Sequence, residues 1–331
     1  MVKKCVLAAK SRQARQAQRR KVGTLKSTTV APKTQARYSE ALRKFFVWLS
    51  CLRMAFPSKW ERLDEVVCSW IEHLWHEGEP KSWAGDTLSG LQHESPLLRG
   101  RLRLGWRLHK AWGMAEMPSR APPITLGILQ AICGLAACSG DWDLAIMLFV
   151  GFECLLRTGE MLALRKQDFL LNVPKGTAVV NLGMTKGAKR SGAEESVTIA
   201  DRKVVEAVAA YVQGLCEGDF IFKRSPAIFR KKFALLCRAL GLEDLAFRPY
   251  SIRRGGATHH FRSGASISST TVRGRWGNSK TARIYINEGL AMLADISISE
   301  SSSVVQYYAK QWQTFTSEGK APVPLPPPRR F

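Results

Sequence analysis

Three prolines between residues 115 and 125 divide the 331-residue chain into two parts. Pro118, Pro122 and Pro123 lie in the stretch AEMPSRAPPIT, with helical patterns before and after it. Proline fixes φ and lacks a backbone donor, so a regular helix does not run through such a stretch. The chain is also longer than one typical domain. We therefore predict two folded domains joined by a linker at 115–124.

The part before the linker shows apolar residues at helical spacing. One segment carries Tyr38, Leu42, Phe45, Phe46 and Leu49, and a second carries Val66, Val67, Trp70, Ile71 and Leu74. Further helices are predicted at about 82–92 and 97–112, which makes 34–114 an all-helical domain. The last helix interleaves apolar residues with Arg99, Arg101, Arg103, Arg107 and Lys110. This basic face either contacts phosphates or is simply solvated.

The part after the linker, 125–315, is predicted to be mainly helical with a small β-hairpin or sheet. Helices are expected at about 125–137, 141–155, 204–215 and 226–240. The two β-like runs, AVVNLGM and ESVTI, are joined by the basic loop TKGAKRSGAE. A final segment at 290–312 completes this domain. Residues 1–33 are predicted to be a basic disordered arm, and residues 316–331 a proline-rich tail.

The net charge of +23 points to a polyanionic partner, and double-stranded DNA is the first candidate. The eight cysteines form no C-x-x-C pair, which favours reduced thiols over disulfides or zinc ligands. The longest apolar run, LAIMLFVGF, is too short to cross a membrane. We predict an intracellular protein without a membrane span, nuclear in a eukaryote and otherwise cytoplasmic.

The stretch from Tyr250 to Tyr285 carries the chemistry. It contains the pair Arg253 and Arg254, then Trp276, then a tyrosine nine residues after that tryptophan. Guanidinium groups bind phosphate oxygens, and a tyrosine hydroxyl can act as a nucleophile. This combination indicates chemistry on a phosphate.

The segment LLRTGEMLALRKQDF, at 155–169, resembles the first catalytic box of the tyrosine recombinase (phage integrase) family. The basic hairpin loop, the second arginine, the tryptophan and the tyrosine then follow in the family's order. The resemblance covers about 125–290. It implies a helical core-binding domain followed by a tyrosine-recombinase catalytic domain, with no metal and no cofactor.

The resemblance also implies a role for each matching residue. Arg157 and Arg253 would clamp the phosphate, Glu160 would orient Arg157, and Trp276 would take the His-or-Trp position. Lys186, or alternatively Lys189, would be the hairpin lysine, and Tyr285 the nucleophile. Tyr250 stands where the family usually has histidine, and a phenol is a poor general base near neutral pH. Arg254 and Arg275 are predicted to contact DNA.

The function expected from this resemblance is DNA strand breakage and rejoining through a covalent 3′-phosphotyrosine, in site-specific recombination or integration of a mobile element. The protein would assemble as a homo-oligomer, a dimer or tetramer on DNA, through its C-terminal segment. Two other hypotheses stay open: a DNA-binding protein with impaired catalysis, favoured by Tyr250, and a type IB topoisomerase.

Overall fold

Two large hydrophobic cores organise the described part of the chain, and a smaller third cluster contains Leu155, Ala257, Trp276 and Ala282. The computed structural model describes residues 11–22, 24–25, 29–117, 119–183, 185, 194–299 and 303–324. It divides into two units, Met1–Ser119 and Arg120–Phe331, so the break falls inside the proline-rich stretch. The finer domain boundaries derived from the sequence stay predictions.

The first unit is helical. Its helices are α1 Arg12–Val22, α2 Pro32–Cys51, α3 Trp60–His76, α4 Ser82–Glu94 and α5 Arg103–Ala115. Helix α1 lies within the predicted disordered arm, so the structure differs from that prediction at residues 12–22. Its residues are strong helix formers without glycine or proline, but none of them is buried. The core forms where the predicted apolar faces of α2 and α3 meet α4 and α5.

The helix predicted at 97–112 is interrupted. A short 3₁₀ turn covers Pro96–Leu98, Gly100 adopts a positive φ of 74°, and α5 begins only at Arg103. The buried carboxylate of Asp64 explains this start, because it accepts hydrogen bonds from the backbone N–H groups of Leu104 and Gly105 at 2.9 and 3.0 Å. The five predicted basic residues are all exposed: Arg99 and Arg101 on the turn, and Arg103, Arg107 and Lys110 on α5.

The second unit is also mainly helical, with one small sheet. Its first elements are α6 Leu126–Cys138, α7 Trp142–Glu153, α8 Thr158–Met161, β1 Phe169–Asn172, β2 Thr177–Gly183 and β3 Glu195–Ile199. Next come α9 Arg202–Val212, α10 Pro226–Ala239, α11 Pro249–Arg262, α12 Ile267–Arg273 and α13 Ser279–Tyr285. The last helices are α14 Glu288–Ser299 and α15 Ser303–Glu318, which divide the single C-terminal segment expected from the sequence. The predicted fold class, mainly α with a small sheet, is confirmed.

The sheet has three antiparallel strands in the order β1-β2-β3. In its register Phe169 faces Val180, and Val180 faces Val197. The sequence indicated β2 and β3 but missed β1. That strand is only four residues long, and it directly follows a 3₁₀ turn at Lys166–Asp168.

Helices α6, α7 and α15 form the centre of the second unit. All residues from Leu144 to Phe152 in α7 are buried, so the longest apolar run is a core helix. On α15, Trp312 is fully buried, with its ring centroid 5.3 Å from that of Phe149. At Gly134 on α6, a Cβ atom would lie 2.1 Å from the carbonyl oxygen of Tyr308, so only glycine permits this approach. None of the helices that the structure describes is both long and apolar enough to cross a membrane.

Two adjacent glycines bring α11 against its neighbours. A Cβ at Gly255 would lie 1.9 Å from the carbonyl oxygen of Ile124, and one at Gly256 would lie 2.1 Å from that of Phe152. These contacts seat α11 on the C-terminal end of α7. They therefore bury the preceding pair, Arg253 and Arg254, beside the turn that leaves α7.

Candidate active site

The turn after α7 presents Arg157. Leu155 adopts a positive φ of 48°, which redirects the chain, and Arg157 then becomes the N-cap residue of α8. Glu160 closes the turn: its carboxylate accepts from the backbone N–H of Arg157 at 2.8 Å and from Arg157 Nη1 at 2.6 Å. The predicted contact between Glu160 and Arg157 is therefore present in the structure.

Arg253 enters the same place from α11 and is almost completely buried, with 1% exposure. Its guanidinium donates to the carbonyl oxygen of Leu155 and, at 2.5 Å, to that of Gly274. Burial, followed by the charges of Arg157 and Arg275, lowers the pKa of Arg253 to about 10. Arg253 therefore still carries its positive charge near neutral pH.

Glu160 is the acid that these arginines share. Its oxygens lie 2.6 Å from Arg157 Nη1, 2.8 Å from Arg275 Nη2 and 3.8 Å from Arg253 Nη1. Burial favours the neutral acid, but Arg275 and Arg157 outweigh this effect and lower the pKa of Glu160. The carboxylate is therefore ionised at neutral pH.

The predicted nucleophile lies beside this cluster. Asn278 caps α13 by accepting from the backbone N–H of Thr281 at 2.8 Å, and Tyr285 is the last residue of that helix. The ring of Trp276 packs 4.5 Å from the ring of Tyr285, centroid to centroid. The guanidinium carbon of Arg253 lies 4.9 Å from the Trp276 ring centroid and 5.4 Å from that of Tyr285. Fold and sequence thus bring the second arginine, the tryptophan and the tyrosine together.

Tyr250 also contacts the predicted nucleophile. It is the second residue of α11, and its hydroxyl donates a hydrogen bond to the hydroxyl of Tyr285. Burial, and then the bond to Tyr285, raise the pKa of Tyr250 well above its usual value. Tyr250 therefore keeps its proton at neutral pH and acts as a donor, because its conjugate base is not populated there.

The two predicted DNA contacts of this unit differ in their surroundings. Arg254 is buried one helical turn after Tyr250, and its Nε has no hydrogen-bond partner within the described part of the chain. The Arg275 side chain is only 7% exposed and lies against Glu160. This geometry does not favour a direct DNA contact for Arg275.

Lys186 and the alternative Lys189 lie outside the described residues. The structure does describe Thr185, just before this stretch, whose hydroxyl donates to Glu195 at the start of β3 at 2.5 Å. The indole Nε1 of Trp276 is buried and has no hydrogen-bond partner among the described residues. This N–H group is available to donate a hydrogen bond to a phosphate oxygen.

Sequence reasoning missed two supporting residues. The Thr258 hydroxyl accepts from the backbone N–H of Asn287 at 3.2 Å and lies 3.4 Å from the Tyr285 carbonyl oxygen, so it holds the end of α13. Arg273 pairs with Glu153, which joins the end of α12 to the end of α7. Both residues lie within the stretch from Tyr250 to Tyr285, but neither takes a position that the family resemblance assigns, so the sequence alone assigned them no role.

Comparisons with known proteins agree on the fold. Residues 127–290 match the model of the phage integrase family. The fold is similar to that of the Tn1549 transposon integrase in complex with transposon right end DNA, with a TM-score of 0.56 and 10% sequence identity over 82% of this chain and 95% of that one. For the XerH site-specific recombinase bound to a palindromic difH substrate, the TM-score is 0.55, with 13% identity over 80% of each chain.

A third structure, a lambda integrase dimer bound to a COC′ core site, has a TM-score of 0.53 and 15% identity over 80% of this chain and 74% of that one. At such low identities these similarities show the fold alone. No curated protein sequence matches the chain.

The shared carboxylate gives the first prediction. Glu160→Gln removes the charge that offsets three guanidiniums, and leaving such charges unpaired should lower the free energy of unfolding by about 3 kcal/mol at neutral pH. Because the folded-state pKa of Glu160 is below its unfolded value, its contribution is present above the unfolded pKa and is lost as pH falls through the folded one. The difference between wild type and variant should therefore shrink in acid, as measured by urea unfolding from about pH 7 to about pH 3.

Glu206→Gln is the matched control, because Glu206 pairs with Arg202 on the exposed face of α9. Its effect should stay below about 1 kcal/mol. A Glu160→Gln penalty that does not change between neutral and acid pH would contradict the assigned role of the carboxylate.

Proposed function

Because the chain belongs to the phage integrase family through its domain at residues 127–290, we propose that it breaks and rejoins DNA strands in site-specific recombination or integration. The observation that carries this proposal is the position of the Tyr285 hydroxyl beside a buried cationic cluster that contains Arg253. Tyr285 attacks a backbone phosphorus and becomes joined to the 3′ phosphate. Because the proposed substrate is DNA, the protein would act inside the cell, in the nucleus of a eukaryote and otherwise in the cytoplasm.

The reaction balances without a metal ion or a high-energy cofactor. The bond between the Tyr285 oxygen and phosphorus forms as the bond from phosphorus to the 5′ oxygen breaks. The phenolic proton of Tyr285 passes to solvent water, and the departing 5′ oxygen gains a proton to become a hydroxyl; by the family resemblance, Lys186 supplies that second proton. The phosphotyrosine conserves the bond energy, so a 5′ hydroxyl of another strand can reverse the step.

The cationic cluster supports the transition state. Negative charge grows on the two non-bridging oxygens as phosphorus becomes five-coordinate, and guanidiniums fixed in advance stabilise that charge without reorganising. Arg157 and Arg253 are the two groups proposed for this role. Arg253 is held by two backbone carbonyls, and Arg157 by Glu160.

Tyr250 has a different proposed role from the histidine it replaces. With its pKa raised, it does not accept the proton of the nucleophile. Its hydroxyl instead orients Tyr285 and stabilises the oxygen as negative charge develops on it.

Assembly on DNA is proposed to use α14. Met292, Leu293 and Ile296 share one exposed side of this helix, whereas Ala291 and Ala294 on the other side are buried. Helix α15 packs on α6 of its own chain, so it is already partnered. A second copy of this chain on the exposed face of α14 would link the protomers that strand exchange requires, and a solved lambda integrase structure is a dimer on a core site.

The second prediction tests the nucleophile. Tyr285→Phe removes one oxygen, so folding and DNA affinity should be unchanged while covalent adducts disappear. The substrate is a pool of nicked duplexes of randomised sequence, in which a cut strand dissociates and traps the adduct. Adducts are detected as protein–DNA bands on denaturing gels.

Tyr307→Phe is the control, because Tyr307 donates to the Val323 carbonyl away from the site. It should form adducts as the wild type does. Adducts that persist in Tyr285→Phe would refute the assigned nucleophile. A wild-type protein that binds DNA but forms no adduct would support the hypothesis of a DNA-binding protein with impaired catalysis. Relaxation of supercoiled plasmid without site preference would support a type IB topoisomerase.

The third prediction concerns Tyr250. Tyr250→Phe removes only the donor to Tyr285, and the loss of a hydrogen bond worth about 1 kcal/mol should slow adduct formation by about 3- to 10-fold. Tyr250→His should match or exceed the wild-type rate, because imidazole can accept the proton. Rates are measured on a cleavable duplex selected from the randomised pool, with DNA affinity as the control. A faster Tyr250→Phe variant would show that the phenol restrains the nucleophile.

The fourth prediction concerns assembly. Leu293→Glu places a charge on the exposed apolar side of α14, so larger protein–DNA complexes should disappear in native gels while the single-protomer complex remains. Glu288→Gln, on the same helix, removes a surface charge and should leave both complexes intact. Unchanged large complexes in Leu293→Glu would exclude α14 as the contact.

A further inference from the structure

The turn between α12 and α13 contains a backbone outlier. After α12 ends at Arg273, Arg275 adopts a left-handed conformation with φ of 55°. Its backbone N–H donates to the carbonyl of Val272 at 2.9 Å, and that of Trp276 donates to the carbonyl of Thr271 at 3.1 Å. This pair of bonds defines a Schellman helix ending, in which the left-handed position is usually glycine.

Arginine at this position is energetically unfavourable. The left-handed conformation costs a residue with a Cβ roughly 1–2 kcal/mol. Glycines flank the position at Gly274 and Gly277, yet the left-handed residue itself is Arg275. An unfavourable backbone conformation persists where surrounding contacts outweigh its cost, so the contacts of the Arg275 side chain decide whether it has a role.

The Arg275 side chain contacts three parts of the domain: the turn after α7, helix α8 and the start of β3. Nη2 donates to Glu160 Oε2 at 2.8 Å and to the Leu155 carbonyl at 3.2 Å, and Nη1 donates to the Cys154 carbonyl at 3.2 Å. Nε lies 3.5 Å from Glu195 Oε2 at the start of β3. With 7% exposure, this guanidinium serves the interior of the site rather than an open surface.

Arg275 competes directly with Arg253. Both arginines contact the Leu155 carbonyl and approach the same oxygen of Glu160, at 2.8 Å for Arg275 and 3.8 Å for Arg253. The positive charge of Arg275 repels that of Arg253 and offsets part of the attraction that Glu160 exerts on Arg253. Arg253 is therefore less neutralised by Glu160 than it would be if Arg275 were absent.

We propose that Arg275 is a positioning residue for strand cleavage: it holds Glu160 against Arg157 and leaves the charge of Arg253 available to the scissile phosphate. The inference rests on the proposed function, because it assigns Arg275 a part in the same reaction. It replaces the direct DNA contact predicted from the sequence.

The fifth prediction separates the side chain from the backbone. Arg275→Gly relieves the left-handed strain and removes every side-chain contact. We expect the rate of adduct formation on a selected cleavable duplex to fall by about 10- to 100-fold, while affinity for the same duplex changes by less than about threefold. Added methylguanidinium should partly restore the rate, because the glycine leaves space where the guanidinium lay.

Arg53→Gly is the matched control. Arg53 is also an arginine with a left-handed backbone, at φ of 54°, but it is exposed. This variant should cleave at the wild-type rate and be slightly more stable, since glycine suits the conformation. Thermal unfolding of both variants separates a change in stability from a change in rate.

An Arg275→Gly variant that folds and cleaves within about twofold of the wild type would overturn the proposal. If Arg275→Gly does not fold, the test uses Arg275→Lys, which keeps the positive charge but lacks the planar guanidinium. A folded Arg275→Lys variant that cleaves at the wild-type rate would also overturn the proposal. A wild-type protein that forms no adduct would instead refute the proposed function, and this inference with it.

Discussion

One buried carboxylate holds the candidate site together. Guanidiniums from three separate segments converge on Glu160, and like charges at such distances would separate without an acid between them. Burying an ion is costly unless it is paired and its remaining polar atoms are hydrogen-bonded. The carbonyls of Leu155 and Gly274 meet this need for Arg253. The geometry of the site therefore depends on the backbone carbonyls of the turns after α7 and α12 as much as on the arginine side chains.

Glycine decides whether those turns can meet. Gly255 and Gly256 let α11 touch the backbone near Ile124 and Phe152, and no larger residue fits at either place. At Gly274, a Cβ would lie 2.1 Å from the Trp276 ring, so that glycine permits the tryptophan to fold back over the turn. Close backbone approach is thus the physical reason that Arg253, Trp276 and Tyr285 become neighbours.

The fold could largely be predicted because its signals are local. Periodic apolar residues marked α2 and α3, a continuous apolar run marked α7, and the family resemblance ordered Arg157, Arg253, Trp276 and Tyr285. The short strand β1 escaped because it is only four residues long, and the interruption before α5 escaped because it depends on Asp64, which is distant from α5 in the chain. The same limit applies to Arg275: the sequence shows a basic residue beside Trp276, but only the backbone of the turn directs its side chain inward.

The charges of the cluster do not cancel. Arg157, Arg253 and Arg275 face Glu160 and Glu195, which leaves one excess positive charge, and the buried Arg254 directly follows Arg253 on α11. Burial, and then this repulsion, lower the pKa of Arg253 to about 10. A phosphodiester carries one negative charge, so its arrival would relieve the repulsion and raise that pKa again. In the free protein, repulsion within the cluster therefore lowers the stability of the fold. Binding of the DNA backbone would restore that stability, so the turns that carry the cluster would be more stable in the complex than in the free protein.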